Sequence, residues 1–192
     1  MTLTLYGSLQ STCTKRVLLV LRELGVTDYR LSNIEMQKGE HQEPSYVQDF
    51  HPFGRIPVLD DDGTRLFESR AICQYLVAKY GSGGALDKQT QTLPELATYE
   101  QAASVEYSYF DPSMKSLAYE NIFKKYFSLG TYSRPAKLTR KRFMGHGDPD
   151  PAAVEKLKAL LIKTLQHYET ILSNREYLAS NVSDLRLLRW EP

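Results

Sequence analysis

Two periodicities alternate as far as Gly81, and then one of them stops, which leaves few folds open. Thr2-Leu3-Thr4-Leu5-Tyr6 alternates polar and apolar and ends at Gly7, as a short half-buried strand does. Val17, Val20, Leu21 and Leu24 then recur at helical spacing, with Gly25 where a helix stop belongs. Tyr29 to Ile34 alternates again as a second strand. A polar loop with little periodicity, Glu35 to Phe53, leads into Ile56-Pro57-Val58-Leu59; a turn over Asp60-Asp61-Asp62-Gly63 and the run Arg65-Leu66-Phe67 complete a hairpin. A helix opens near Ser69, carries Ile72, Tyr75, Leu76 and Lys79, and stops at Gly81. The order β-α-β, loop, β-β-α predicts an α/β domain.

Beyond Gly81-Ser82-Gly83-Gly84, a flexible linker composition, no convincing strand follows. One aromatic-rich helical stretch runs from about Pro94 to Phe127. Val154, Leu157, Leu161, Thr164, Tyr168 and Ile171 mark another helix, with Asp150 as its cap and Pro151 at its first position. The basic stretch Arg134 to Arg142, ending in Gly145-His146-Gly147, reads as a solvated interhelical loop. The expected division is residues 1–81, a linker over 82–93, and an all-α domain over 94–192.

Composition removes several functions. Lys plus Arg number 24 and Asp plus Glu 23, so the net charge of +1 offers no electrostatic footprint for nucleic acid or an anionic membrane. The longest apolar run, Val17 to Leu21, is far shorter than the roughly 20 residues of a spanning helix. The opening Met-Thr-Leu-Thr-Leu-Tyr has neither the basic nor the apolar region of a secretory signal, so a cytoplasmic protein is expected. Two cysteines, Cys13 and Cys73, cannot make a disulfide scaffold, and the four histidines never pair at helical ligand spacing, so no metal is expected.

Three places could carry chemistry. Ser11-Thr12-Cys13-Thr14-Lys15-Arg16 opens a helix after a strand and a turn, and a helix N-terminus favours an anion; Ser11 or Thr12 as a plain helix cap fits equally. Pro57 at a strand start cannot donate to the ladder and tolerates a cis bond, which would leave the Ile56 backbone able to pair with an extended peptide; an edge-strand proline reads the same way. Glu68-Ser69 at the next helix start suits an ammonium and a carboxylate, although capping also explains Ser69. Together the three would recognise the free end of an amino acid.

In that order and spacing, Ser11-Thr12-x-x-x-Arg16, Gly39-Glu40-His41, His51-Pro52-Phe53-Gly54-Arg55-Ile56-Pro57 and Leu66-Phe67-Glu68-Ser69-Arg70-Ala71-Ile72 resemble the cytosolic glutathione transferases, the phi class above all. Val105 to Pro112 and Tyr177-Leu178-Ala179 extend the resemblance to about residues 3–180. It implies a thioredoxin-like domain that binds glutathione, then a helical bundle that binds the electrophile. By the same resemblance Ser11 stabilises the glutathione thiolate, Ile56 after Arg55 and before Pro57 pairs with the cysteinyl group, Glu68 and Ser69 hold the γ-glutamyl end, and His41 with Gln42 lies near the glycine carboxylate. Leu9, Tyr107, Phe110 and Met114 would line the electrophile pocket; helix core or dimer contact is the competing assignment for Tyr107 and Met114. Glutathione would be a co-substrate rather than a resident cofactor, and the protein a homodimer active in detoxification.

Gln42 stands where the family commonly has lysine, and Arg55 where it has glutamine, which alters the carboxylate contacts. Cys13 lies two residues past the position that cysteine occupies in omega-like relatives, so a packing role outweighs thiol exchange. After Tyr177-Leu178-Ala179 the chain runs through Leu185, Leu187, Leu188 and Trp190 where relatives continue with further helices, and a shortened, less stable helical domain is expected. A non-catalytic carrier of hydrophobic ligands, a glutathione-dependent peroxidase or thiol reductase, and an interaction module are the competing functions.

Overall fold

Four short strands form one mixed sheet in the order β2-β1-β3-β4: β1 is Leu3–Gly7, β2 Arg30–Asn33, β3 Val58–Asp61 and β4 Thr64–Phe67. They belong to a computed structural model that describes residues 3–82, 92–124, 148–175 and 178–179. β1 runs parallel to β2, with Leu5 opposite Leu31, and antiparallel to β3, with Leu5 opposite Leu59. The parallel pair needs a crossover, and α1 (Thr12–Glu23) supplies it. The chain forms two compact units, 1–90 and 91–192.

Strand alternation sorts the side chains of β1. Leu3 and Leu5 are buried on one face, while Tyr6 on the other packs with Phe50 and Ile56 against Ile34, Tyr46 and Val58. α3 (Ser69–Tyr80) packs against α1, burying Ile72, Leu76 and Val77, while α1 buries Val17, Val20 and Leu21. At the far end of α3 the Asp61 carboxylate is fully buried. Its Oδ2 accepts from Lys79 Nζ at 2.6 Å, Tyr75 Oη at 2.9 Å and Tyr80 Oη at 3.2 Å, tying the last turn of α3 to β3.

Two expectations change. The hairpin turn is two residues, not four: Asp60 and Asp61 stay in β3, and Asp62 (φ 47°) and Gly63 (φ 89°) make the turn. Left-handed backbone at both positions matches the twist of the paired strands. The stretch from Glu35 to Phe53 is not a plain loop; it holds 3₁₀ turns at Met36–Lys38 and Glu40–Gln42 and a short helix, α2 (Pro44–Asp49). Elements this short present too few apolar positions for a period to register.

In the second unit α4 (Leu93–Val105) continues through a π turn (Glu106–Phe110), α5 (Asp111–Ala118) and a second π turn (Tyr119–Phe123). The first π turn leads to Pro112, which has no N–H to continue the α ladder, and a wider turn absorbs such a break. α6 (Pro151–Leu172) begins as its sequence implies, with Asp150 Oδ1 accepting from Ala152 N at 2.9 Å. It packs against α5, and Phe110 lies over the Tyr168 ring at 6.1 Å. Phe127, the basic stretch Arg134 to Arg142, Gly145-His146-Gly147, Tyr177 and residues 180–192 lie outside the described residues.

Candidate active site

The start of α1 is fixed by a contact that only glycine permits. A Cβ on Gly7 would lie 2.6 Å from Thr14 Oγ1 and 2.7 Å from its Cγ2, so a bare Cα lets the helix begin hard against the end of β1. Thr14 Oγ1 accepts from Ser8 N at 3.3 Å, and the Ser8 carbonyl accepts from Ser11 N at 2.9 Å. These bonds set the turn that delivers Ser11 to the cap position, where its Oγ accepts from Thr14 N at 3.3 Å. A hydroxyl has one donor and two acceptor positions. The cap takes one acceptor, so the O–H stays able to donate, and the two readings of Ser11 coexist in one side chain. The first turn of α1 holds no acidic residue to compete for an anion near the positive end of the helix.

The start of α3 is a second polar corner. Glu68, exposed, holds φ at 69°, a left-handed conformation that costs a residue with a Cβ about 1–3 kcal/mol and is concentrated at functional sites. Ser69 follows at the first helical position and is buried. Arg16 on α1 reaches across, its Nη1 donating to Ser69 Oγ at 2.8 Å and lying 3.9 Å from Cys13 Sγ. The Ile56–Pro57 peptide ahead of β3 is cis. The Ile56 backbone enters no backbone hydrogen bond among the described residues. Its approach is held from behind, where Tyr46 Oη donates to the Arg55 carbonyl at 2.9 Å. Gly54 (φ 58°) helps in a second way, since a Cβ there would meet the His41 carbonyl at 2.9 Å.

His41 is buried in the Glu40–Gln42 turn, while the side chains of Gln42 and Arg55 are exposed. His51 is buried, its ring 4.6 Å from Phe67 and its Nδ1 accepting from Phe53 N at 3.2 Å. Burial holds its pKa below the ordinary histidine value, and Arg55 adds to the fall while Glu68 opposes it. A neutral His51 therefore braces the junction that carries Glu68. Burial pushes the Cys73 thiol up to about 11 against the pull of Arg16 and Arg70, which makes it a poor nucleophile. Among the described residues no cluster of His, Cys, Asp and Glu could hold a metal ion, and no helix is long and apolar enough to cross a membrane.

The four residues expected in an electrophile pocket divide between the units. Leu9 is exposed on the turn before Ser11; Tyr107, Phe110 and Met114 lie on the first π turn and α5, Tyr107 and Met114 exposed. A cleft of about 370 Å³ in the helical unit is lined by α4 and the end of α6, with Thr98, Gln101, Val105, Asn174, Arg175 and Leu178 among its walls, and by none of those three. Arg16 and His51 stand within the sequence motifs with no role that the sequence reveals. A charge five residues after Ser11 does not reveal that it bonds a residue 53 positions away, and a buried histidine reads like any loop histidine.

A mixed sheet with a cis-proline strand start and two polar helix N-termini, followed by a unit that is helical among the described residues, defines a thioredoxin-like fold with a helical extension. Residues 1–78 match the family model described as glutathione S-transferase, N-terminal domain. A glutathione S-transferase of Arabidopsis thaliana is 45% identical over 181 residues, covering 94% of this chain and 74% of that protein. The crystal structure of glutathione transferase F7 from Populus trichocarpa is similar at 32% identity and a TM-score of 0.75, over 93% of this chain and 75% of that one. Glutathione S-transferase I from maize, solved in complex with an atrazine glutathione conjugate, gives a TM-score of 0.76 at 28% identity over 95% of this chain and 75% of that one. The chain belongs to the glutathione S-transferase family, and plant phi-class enzymes are among its relatives.

Proposed function

We propose that this protein joins the sulfur of glutathione to small hydrophobic electrophiles, with Ser11 donating its hydroxyl to that sulfur and holding it as thiolate. The observation that carries the proposal is the bonding of Ser11, whose cap bond uses an acceptor position and leaves the O–H to donate at a helix N-terminus. The energies are adequate. A free thiol titrates near 8.5, so a value near 7 needs about 2 kcal/mol; one hydrogen bond to a charged group contributes about 1.5–3 kcal/mol and a helix N-terminus about 0.3–1 kcal/mol. The thiolate attacks the electrophilic carbon, a carbon–sulfur bond forms, the leaving group departs as an anion, and the thiol proton goes to solvent. Ser11 remains a donor throughout, so no histidine base is required.

Residues 1–81 form the glutathione domain in this reading. The Ile56 backbone, which enters no backbone hydrogen bond among the described residues, pairs with the cysteinyl group; Glu68 takes the γ-glutamyl ammonium and Ser69 its carboxylate. His41 and Gln42 lie at the glycine end, where the Arg55 charge supplies part of what Gln42 lacks. Residues 94–192, joined through 82–93, supply Tyr107, Phe110 and Met114 as electrophile-binding residues, Phe110 also packing on Tyr168, and Leu9 in the first unit has the same proposed role. Glutathione acts as co-substrate with no permanently bound cofactor, in a cytoplasmic homodimer. The test is conjugation of glutathione to an aryl halide by the protein and by Ser11→Ala. A fall of about tenfold or more is expected, and a variant that keeps the full rate removes the role of Ser11.

A further inference from the structure

We infer that Arg16 is a positioning residue for the γ-glutamyl carboxylate, acting through the Ser69 hydroxyl; the inference rests on the proposed role of Ser69. Ser69 is buried, so water does not set the direction of its O–H. Arg16 Nη1 lies 2.8 Å from Ser69 Oγ, and a guanidinium can only donate. Ser69 Oγ therefore spends an acceptor position on Arg16, and its own hydrogen is turned away from α1, free to donate to an anion at the start of α3. Arg16 is half-buried and carries a cationic guanidinium, and a carboxylate on Ser69 would sit roughly 5–6 Å from it, the length of two successive hydrogen bonds. One side chain thus fixes the donor and supplies the countercharge. Its stem leaves α1 in the turns that begin at Ser11, which makes the two helix starts one assembly.

The experiment compares glutathione with 4-aminobutyryl-cysteinyl-glycine, which lacks only the γ-glutamyl carboxylate, in wild type, Arg16→Ala, Ser69→Ala and the double variant. Arg16→Ala is expected to raise the KM for glutathione about tenfold while kcat at saturating glutathione stays within about twofold. The KM for the shortened peptide should move less than about twofold. In the Ser69→Ala background Arg16→Ala should add little. Equal losses for both peptides, or a fall in kcat at unchanged KM, would mean that Arg16 merely holds α1 to α3 and would overturn the inference. If Ser69→Ala leaves the glutathione KM unchanged, the assignment of Ser69 itself fails, an outcome read without any Arg16 variant. Arg16→Met keeps the packing of the stem and replaces the alanine variant if that one does not fold.

Discussion

Ser11 performs two tasks with one oxygen, and a substitution can separate them. Aspartate caps helices as well as serine does, yet its charge opposes an adjacent thiolate. Ser11→Asp is therefore expected to keep the thermal midpoint within a few degrees of wild type while conjugation falls by about tenfold or more; matched losses of stability and rate would show that capping is all Ser11 does. His51 makes a pH prediction with a definite sign. Its folded-state pKa is depressed by burial, so the unfolded chain binds the proton more tightly. That stability is fully present above the unfolded value of about 6.5 and is lost as pH falls through the folded value. Thermal melts between pH 8 and 5 should show a midpoint that declines below about pH 6.5, with a shallower decline in His51→Asn; superimposable profiles would refute it. The places of Ser11, Ile56, Glu68 and Ser69 in the fold were legible in the sequence because each stands beside a signal of chain geometry, a helix start or a proline. Arg16 and His51 were not, since their roles come from neighbours supplied by other elements.

The two ends of α3 are held differently, and only the N-terminal end bears on the proposed chemistry. At the other end the buried Asp61 carboxylate gathers Lys79, Tyr75 and Tyr80. Burial pushes its pKa up, but hydrogen bonds from Lys79, Tyr75 and Tyr80 outweigh burial and leave the group below its ordinary value. Its contribution is accordingly present above about pH 3.9 and lost as pH falls through the folded value. Asp61→Asn should cost about 2–4 kcal/mol at pH 7 through weakened bonds to the two tyrosines, read by urea unfolding, with the gap to wild type narrowing as pH falls below about 3.9. A gap of constant size would assign the loss to packing. The sequence placed Asp61 in a turn, because three aspartates before a glycine resemble one; pairing with Thr64 keeps it in β3 instead. β1, α1, α3 and the start of α6 were readable, since each combines a clean period with a cap or stop residue. The π turns were not, because a single five-residue turn is too short to show a period of its own.

Over the whole molecule the charge is nearly balanced, with a pI of about 7.7, so association at neutral pH is opposed by little net repulsion. The proposed homodimer is checked by sedimentation velocity: a species of twice 22.0 kDa is expected at micromolar concentration, and a single 22.0 kDa species would dismiss it. The family was legible because four motifs occur in fixed order, each with its own local geometry. Electrophile choice was not legible, since Leu9 and Tyr107 lie in different units and no sequence period reports how two units meet. Glu68 carries a lesson for anyone who would engineer this protein. Its backbone occupies a region that glycine enters without strain, so a library sorted by heat resistance alone will enrich Glu68→Gly and discard the carboxylate proposed to grip the substrate. Sorting by turnover will restore it. The position marks where selection for durability and selection for catalysis pull in opposite directions.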